Sequence, residues 1–106
     1  MDVKLTKKTD QAFCAIYNEY LKRIDSGKSK DEAIEFGAIF ELQSTILPEW
    51  FEEDINAALS ELSDCGFIHM YVDSSFELLN TAILYMERRF PDGLKELFSI
   101  VAPFLP

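Results

Sequence analysis

The side chains best suited to catalysis are few in this chain. It has one histidine, His69, and two cysteines, Cys14 and Cys65. Cys65 and His69 are four residues apart with no second pair to complete a zinc site, and the cysteines form no C-x-x-C motif. His69 lies in an apolar run typical of a strand, where a structural role is the commoner one. In a reducing compartment we expect both cysteines to be buried thiols.

Carboxylates are abundant, but their spacing does not make them converge. Glu52, Glu53 and Asp54 are consecutive, and on a helix three consecutive side chains spread over about 200°. The sequence contains no calcium-binding loop pattern, no glycine-rich phosphate loop and no G-x-S-x-G nucleophile motif. It therefore predicts a protein that is not an enzyme and that holds no metal and no cofactor.

The distribution of charge is more informative than the net charge of −9. Residues 1–30 contain seven Lys and Arg and four Asp and Glu, whereas residues 31–87 contain thirteen Asp and Glu and no Lys or Arg. Residues 88–106 contain three basic and two acidic residues. Such an acidic block either serves solubility alone or selects against nucleic acid and favours basic partners, and both interpretations stay open.

The elements that would position these side chains begin with a long helix. Apolar residues over 12–24 recur at spacings of three and four, which predicts one buried stripe. Thr9 or Asp10 is expected to cap this helix. Ser26-Gly27 is expected to end it, with the glycine in the left-handed conformation.

A second helix is predicted from the S-x-x-E capping box at residues 29–32 through about Gln43. Its apolar residues cover more than one face, so we expect burial on two sides. Gly37 lies inside it, at a cost of about 1 kcal/mol relative to alanine. We expect the close approach of a neighbouring helix to compensate. The apolar residues are Ala33, Ile34, Phe36, Ala38, Ile39, Phe40 and Leu42.

A third helix is predicted over residues 51–64, after a connection that Leu47-Pro48 interrupts, and Gly66 closes it. The hydrophobic period then changes from 3.6 to 2. This pattern predicts two short strands, over residues 67–72 and 76–79, with a turn at residues 73–75 between them. The expected inner face of the third helix consists of Phe51, Ile55, Ala58, Leu59 and Leu62.

Two further helices are predicted after the hairpin. Asn80 or Thr81 is expected to cap the fourth, and residues 91–93 (Pro-Asp-Gly) break it. A last helix is predicted over residues 94–102, before Pro103.

Three helices followed by a hairpin is the order of a winged-helix domain, with the second and third helices as the helix-turn-helix pair and the hairpin as the wing. The alternative is an all-helical bundle in which residues 67–79 form a loop. Six β-favouring residues directly after Gly66 favour the wing. We therefore predict one mostly helical, α+β winged-helix domain over residues 1–106, with its core at about residues 9–90 and two C-terminal helices.

Two segments resemble those of known winged-helix domains. Residues 58–68 match the A-L-x-x-L-x-x-x-G-[FY]-I run that joins the third helix to the wing in many bacterial members. Residues 79–87 resemble the L-T-x-x-G-I-x-Y-L-E segment that follows the wing, with Asn80-Thr81 where T-D/E is usual. Over about residues 12–90 the chain is similar to small uncharacterised winged-helix proteins of bacterial and prophage genomes. This resemblance implies a fold and carries over no functional residue.

A winged helix that reads DNA needs basic residues on its third helix and wing. Each carboxylate about 7 Å from a phosphate costs roughly 0.6 kcal/mol even at the dielectric constant of water. DNA binding through the usual face is therefore disfavoured. The predicted acidic surface consists of Glu49, Glu52, Glu53, Asp54, Glu61 and Asp64. The alternative DNA contacts, on an atypical basic patch, are Lys22, Arg23, Lys28, Lys30, Arg88 and Arg89.

The C-terminal segment carries more apolar surface than one packed face needs. It is predicted to pair two protomers across a two-fold interface, and the alternative is that it covers the first helix of its own chain. The predicted interface residues are Leu97, Phe98, Ile100, Val101 and Phe104.

These observations favour a non-enzymatic, acidic interaction module that binds a protein partner or itself. The alternative is a DNA-binding transcriptional regulator that uses an atypical basic patch or a basic partner subunit. No apolar leader follows Met1, and no run approaches the roughly 18 apolar residues of a membrane span. The expected location is cytoplasmic, without membrane contact.

Overall fold

The computed structural model describes residues 4–93, which form five helices and a three-stranded sheet. The sheet is antiparallel with the strand order β1-β3-β2. The fold class is thus α+β, as predicted, and the predicted last helix over residues 94–102 lies outside the described residues. The elements are α1 (Lys7–Asp25), α2 (Lys30–Ala33), β1 (Glu35–Phe36), α3 (Ile39–Thr45), α4 (Glu52–Asp64), β2 (Ile68–Met70), β3 (Phe76–Leu78) and α5 (Asn80–Arg89).

Helix α1 forms one wall of the core, because every residue over 12–18 is buried. The ring of Phe13 lies 4.9 Å from that of Phe67, which precedes β2, and 5.9 Å from that of Tyr85 on α5. The rings of Phe67 and Tyr85 are 5.1 Å apart. This aromatic cluster joins α1, the hairpin and α5. Such pairs contribute about 0.5–1.5 kcal/mol beyond the area they bury.

The first helix begins earlier than predicted, at Lys7, and Thr6 caps it by accepting a hydrogen bond from the amide of Thr9 at 3.3 Å. The prediction that Thr9 or Asp10 caps α1 is therefore wrong. Thr9 is buried, and its hydroxyl is committed to α4. The helix ends as expected, with Gly27 at a φ of 99° in the left-handed region.

The single second helix predicted through Gln43 is wrong. The capping box is present, but the helix it begins, α2, has only four residues, and β1 and α3 follow it. The physical reason is tertiary: Phe36 pairs with Phe76 across the sheet, with their rings stacked 5.0 Å apart. Gly37 lies between β1 and α3 rather than inside a helix. Apolar residues on more than one face were the sign that this stretch is not one amphipathic helix.

Helix α5 has no side-chain cap, so the prediction that Asn80 or Thr81 caps it is wrong. Both side chains hold α5 in place instead. Asn80 Oδ1 accepts a hydrogen bond from Lys30 Nζ at 2.8 Å, and the Thr81 hydroxyl donates to the carbonyl oxygen of Gly66. These contacts tie the start of α5 to α2 and to the loop before β2.

Candidate interaction surface

The outer side of α4 is the surface that a helix-turn-helix protein would present to a partner. Ile55, Ala58, Leu59 and Leu62 are buried against the core. At 100° per residue, the exposed side chains form one stripe on the opposite side. That stripe consists of Glu53, Asn56, Ala57, Ser60 and Asp64, and Glu52, which is also exposed, lies at its edge.

The six carboxylates predicted to form one acidic surface divide into two groups. The first group is exposed and consists of Glu49, Glu52, Glu53 and Asp64. The second group, Asp54 and Glu61, faces α1 instead. Asp54 forms an ion pair with Lys8 at 2.9 Å, so the prediction that Asp54 belongs to one acidic surface with the other five carboxylates is wrong. It failed because Lys8 is distant in sequence and meets α4 only in the folded chain.

Glu61 fastens the start of α1 to α4. Its carboxylate accepts hydrogen bonds from the Thr9 hydroxyl at 2.7 Å, from the Thr6 amide at 2.7 Å and from the Thr6 hydroxyl at 3.1 Å. The hydrogen bond from Thr9 and then those from Thr6 lower the pKa of Glu61, because they stabilise its ionised form. Glu61 is therefore a structural residue here and not part of the outward acidic surface.

Replacing Glu61 with glutamine is expected to make the free energy of unfolding fall less steeply as the pH is lowered. Because the folded-state pKa lies below the ordinary value of 4.5, ionised Glu61 contributes its full stability above that value. The contribution is lost as pH falls through the folded-state pKa. Urea denaturation from pH 7 to pH 3 should therefore show Glu61→Gln less stable than wild type at pH 7, with a difference that shrinks on acidification. Glu53→Gln is the control, and a constant difference for Glu61→Gln would contradict the assignment.

The hairpin between β2 and β3 has a tight polar turn and an apolar tip. Asp73 accepts hydrogen bonds from the hydroxyl and the amide of Ser75, and these bonds lower the pKa of Asp73. Ser74 takes a φ of 72° in the left-handed region. Tyr71 and Val72 are exposed at the tip. No basic side chain occurs between β2 and β3, so the turn of the hairpin offers no positive charge to a phosphate.

The basic residues considered as alternative DNA contacts do not form one patch. Arg23 pairs with Glu19 at 2.9 Å and packs over the ring of Phe36, while Arg89 forms a two-bond ion pair with Asp10 at 2.5 and 2.8 Å. Asp10 and Arg23 are thirteen residues apart on α1, or about 20 Å along its axis. The exposed members of the set are Lys22, Lys28, Lys30 and Arg88, and Lys30 also contacts Asn80. The bases thus divide between the two ends of α1.

Two aromatic side chains that the sequence interpretation assigned to buried faces are exposed. Phe51 was predicted on the inner face of α4, and its side chain is 73% exposed. Phe40 was predicted in a helix buried on two sides, and it is 81% exposed. Both predictions are wrong. Phe51 occupies the N-cap position, before the helical period begins, and the predicted second helix that would have buried Phe40 does not form.

The potential catalytic side chains differ in burial and in surroundings. Burial raises the pKa of the Cys14 thiol to about 11, which keeps it protonated and unreactive. Cys65 is only half-buried, contrary to expectation, and both thiols are free. His69 is exposed on β2, where its ring meets the edge of Tyr71 at 4.7 Å. Over residues 4–93 no three His, Cys, Asp or Glu side chains are grouped so that they could bind a metal ion.

An open groove of about 470 Å³ lies on α5 and is lined by Thr81, Leu84, Tyr85, Arg88 and Arg89. These side chains offer hydroxyl, phenol, guanidinium and aliphatic groups.

The predicted dimer residues Leu97, Phe98, Ile100, Val101 and Phe104 lie outside the described part of the chain. None of the helices described in residues 4–93 has the length and apolar character needed to cross a membrane.

Comparison of the chain with models of known protein families, with curated proteins and with solved structures finds no match.

Proposed function

We propose that this protein is a non-enzymatic winged-helix module that binds a basic protein partner through the outer side of α3 and α4. The order of elements supports the winged-helix class. Two helices, α1 and the short α2, and the short strand β1 precede the pair α3–α4, a hairpin follows it, and the first strand pairs with the last. In this interpretation α3 and α4 are the helix-turn-helix pair, and β2–β3 are the wing.

The observation that carries the proposal is the charge of the outward side of α4. Glu52, Glu53 and Asp64 are exposed there, and the whole segment 31–87 contains no Lys or Arg. A phosphate backbone is repelled by such a face, whereas lysine and arginine side chains are attracted to it. The resemblance to bacterial and prophage winged-helix proteins remains part of this proposal, as does pairing of two protomers through Leu97, Phe98 and Val101.

The second candidate is a regulator that contacts DNA through bases away from α4. The exposure of Lys22, Lys28 and Arg88 favours it, because all three side chains are open to solvent. The engagement of Arg23 and Arg89 in ion pairs within the chain weighs against it. The two candidates differ in the charge of the ligand they bind, which makes them separable by one pair of probes.

The test compares a fluorescent Lys/Ser peptide with random-sequence duplex DNA by anisotropy, each at low and at physiological salt. The wild-type protein is expected to bind the peptide, with an affinity that falls as salt rises. The variant with Glu52→Gln, Glu53→Gln and Asp64→Asn is expected to bind about tenfold more weakly, since tenfold corresponds to about 1.4 kcal/mol shared among three contacts.

The matched control carries Asp25→Asn, Glu87→Gln and Asp92→Asn, three exposed carboxylates elsewhere that change the net charge equally. This variant should retain peptide binding. Equal weakening of both variants would mean that net charge alone attracts the peptide, and the proposed face would be wrong. Salt-sensitive binding of the duplex in place of the peptide would establish the second candidate.

A further inference from the structure

Phe40 and Phe51 are exceptions among the phenylalanines that the structure describes. Residues 4–93 contain seven phenylalanines, and five of them are at most 5% exposed. Phe40 and Phe51 are 81% and 73% exposed. The five buried rings are Phe13, Phe36, Phe67, Phe76 and Phe90.

The two exposed rings lie at the same junction of the fold. Phe40 and Gln43 are three residues apart on α3, so they share one face of that helix. Gln43 Nε2 donates a hydrogen bond of 2.9 Å to the carbonyl oxygen of Trp50, the residue before Phe51. This bond holds the start of α4 against the face of α3 that carries Phe40.

Phe51 also occupies a position where phenylalanine does not help the fold. It is the N-cap of α4 and makes no side-chain hydrogen bond to the amides of the first turn. Serine, threonine, aspartate or asparagine would accept such a bond and stabilise the helix. Because the ring is exposed, it gains little from burial in return. The ring of Phe51 therefore contributes little to the stability of the fold, and it is available for contact with another molecule.

Four carboxylates lie within two residues of Phe40 or Phe51 along the chain. Glu41 on α3, Glu49 in the connection and Glu52 and Glu53 on α4 are all exposed. An apolar patch with this border attracts a partner that combines large apolar side chains with positive charge. A second copy of the same face would bring like charges together.

We propose that Phe40 and Phe51 are the anchors of a docking site for a cationic amphipathic protein segment, one whose apolar side chains cover the two rings while its lysines and arginines meet the surrounding carboxylates. This proposal rests on the proposed function, and it adds apolar contacts to the charged contacts through which the partner is recognised. Aromatic anchors with a polar border are the usual arrangement of a binding hot spot.

The experiment uses two synthetic peptides of 14 residues with lysines at identical positions, one with leucine and one with serine at the remaining positions. Binding to the full chain is followed by peptide anisotropy and by the emission of Trp50, the only tryptophan. The Lys/Leu peptide is expected to bind at least tenfold more tightly than the Lys/Ser peptide. The variant with Phe40→Ser and Phe51→Ser should lose that advantage and bind both peptides equally.

Leu84→Ser is the matched control, because Leu84 is 53% exposed on α5, which takes no part in the proposed site. It should bind the Lys/Leu peptide like wild type. Phe51→Ser alone is expected to melt at a temperature no lower than wild type, since serine caps α4. Loss of peptide affinity in a variant that is equally or more stable cannot be an effect of unfolding.

The possible failures are distinguishable. If the wild type binds both peptides equally, or the double variant keeps the preference for Lys/Leu, the aromatic site is wrong and the acidic interaction face stands. If the wild type binds neither peptide, both proposals fail. Cosedimentation with phosphatidylcholine vesicles that depends on Phe40 and Phe51 would assign the patch to a membrane surface and overturn the protein-segment proposal.

Discussion

Replacing Phe67 with alanine is expected to lower the free energy of unfolding by about 3–5 kcal/mol, the usual cost of removing a buried phenylalanine ring. Phe67 is fully buried between the rings of Phe13 and Tyr85. The change removes a ring that contacts both α1 and α5 and is expected to leave a cavity between them. Domains of this size are stable by about 5–15 kcal/mol, so the variant should be partly unfolded at low denaturant concentration. Urea titration followed by far-UV circular dichroism measures the loss.

Phe40→Ala is the control for this substitution, because it removes the same ring from a side chain that is 81% exposed. Its effect on the free energy of unfolding should stay within about 0.5 kcal/mol. Comparable losses in the two variants would show that the Phe13–Phe67–Tyr85 cluster is not a centre of the core. The pair also separates stability from recognition, since Phe40→Ala should weaken binding of the Lys/Leu peptide without affecting the fold.

Replacing Arg89 with methionine is expected to cost about 1–3 kcal/mol of stability. Arg89 holds Asp10 by two hydrogen bonds, and through them the end of α5 is fastened to the first turn of α1. The hydrogen bonds to Asp10 raise the pKa of Arg89 further above its ordinary value. Each side chain is 30% exposed, so water weakens the pair and the expected loss stays below that of a fully buried ion pair.

Arg88→Met is the matched control for the ion pair, because Arg88 is exposed one residue away on the same helix. It should change stability by less than about 0.5 kcal/mol. A double-mutant cycle with Asp10→Asn isolates the coupling, and the loss in the double variant should be smaller than the sum of the single losses. Additive losses would mean that Arg89 acts through packing on the ring of Phe90, 4.8 Å away, and not through Asp10.

The stabilising contacts and the candidate binding face occupy different sides of α4. Asp54 and Glu61 hold α1, and Leu59 and Leu62 are buried in the core. Glu53 and Asp64 contribute to neither group and remain in solvent. Substitutions on the outer side should therefore alter recognition with little effect on folding, which makes the peptide experiments interpretable.

Local signals in the sequence predicted the elements whose structure depends mainly on neighbours along the chain. The three-and-four spacing of α1, Gly27 after it, the inner residues of α4 from Ile55 to Leu62 and the change of period after Gly66 all describe short-range geometry. The predictions for Gly27, for α4 and for the hairpin agree with the structure, whereas α1 is buried on all sides over residues 12–18 and Ile24 at its end is exposed. An amphipathic stripe or a left-handed glycine is determined within a few residues, so one sequence is enough to find it.

Several of the failures result from contact between residues distant in sequence. The predicted second helix is interrupted because Phe36 pairs with Phe76, forty residues later in the chain. Asn80 and Thr81 do not cap α5 because Leu79 occupies the N-cap position, and their side chains bond instead with Lys30 and with Gly66. The free energy of a short helix differs from that of other local conformations by only a few kcal/mol. A buried strand pairing can therefore outweigh the local preference for a helix.

The sequence by itself determined the α+β character of the described chain, the position of its hairpin and the exclusion of positive charge from residues 31–87, because composition and periodicity are properties of the chain before it folds. Only the tertiary structure decided which carboxylates face outward and which phenylalanines stay in solvent. Asp54 pairs with Lys8 and Glu61 accepts a hydrogen bond from Thr9, so neither carboxylate belongs to the outward acidic surface. Phe40 and Phe51 remain exposed at the junction of α3 with α4. A side chain's neighbours from distant parts of the chain determine its exposure, and they come together only when the whole domain packs.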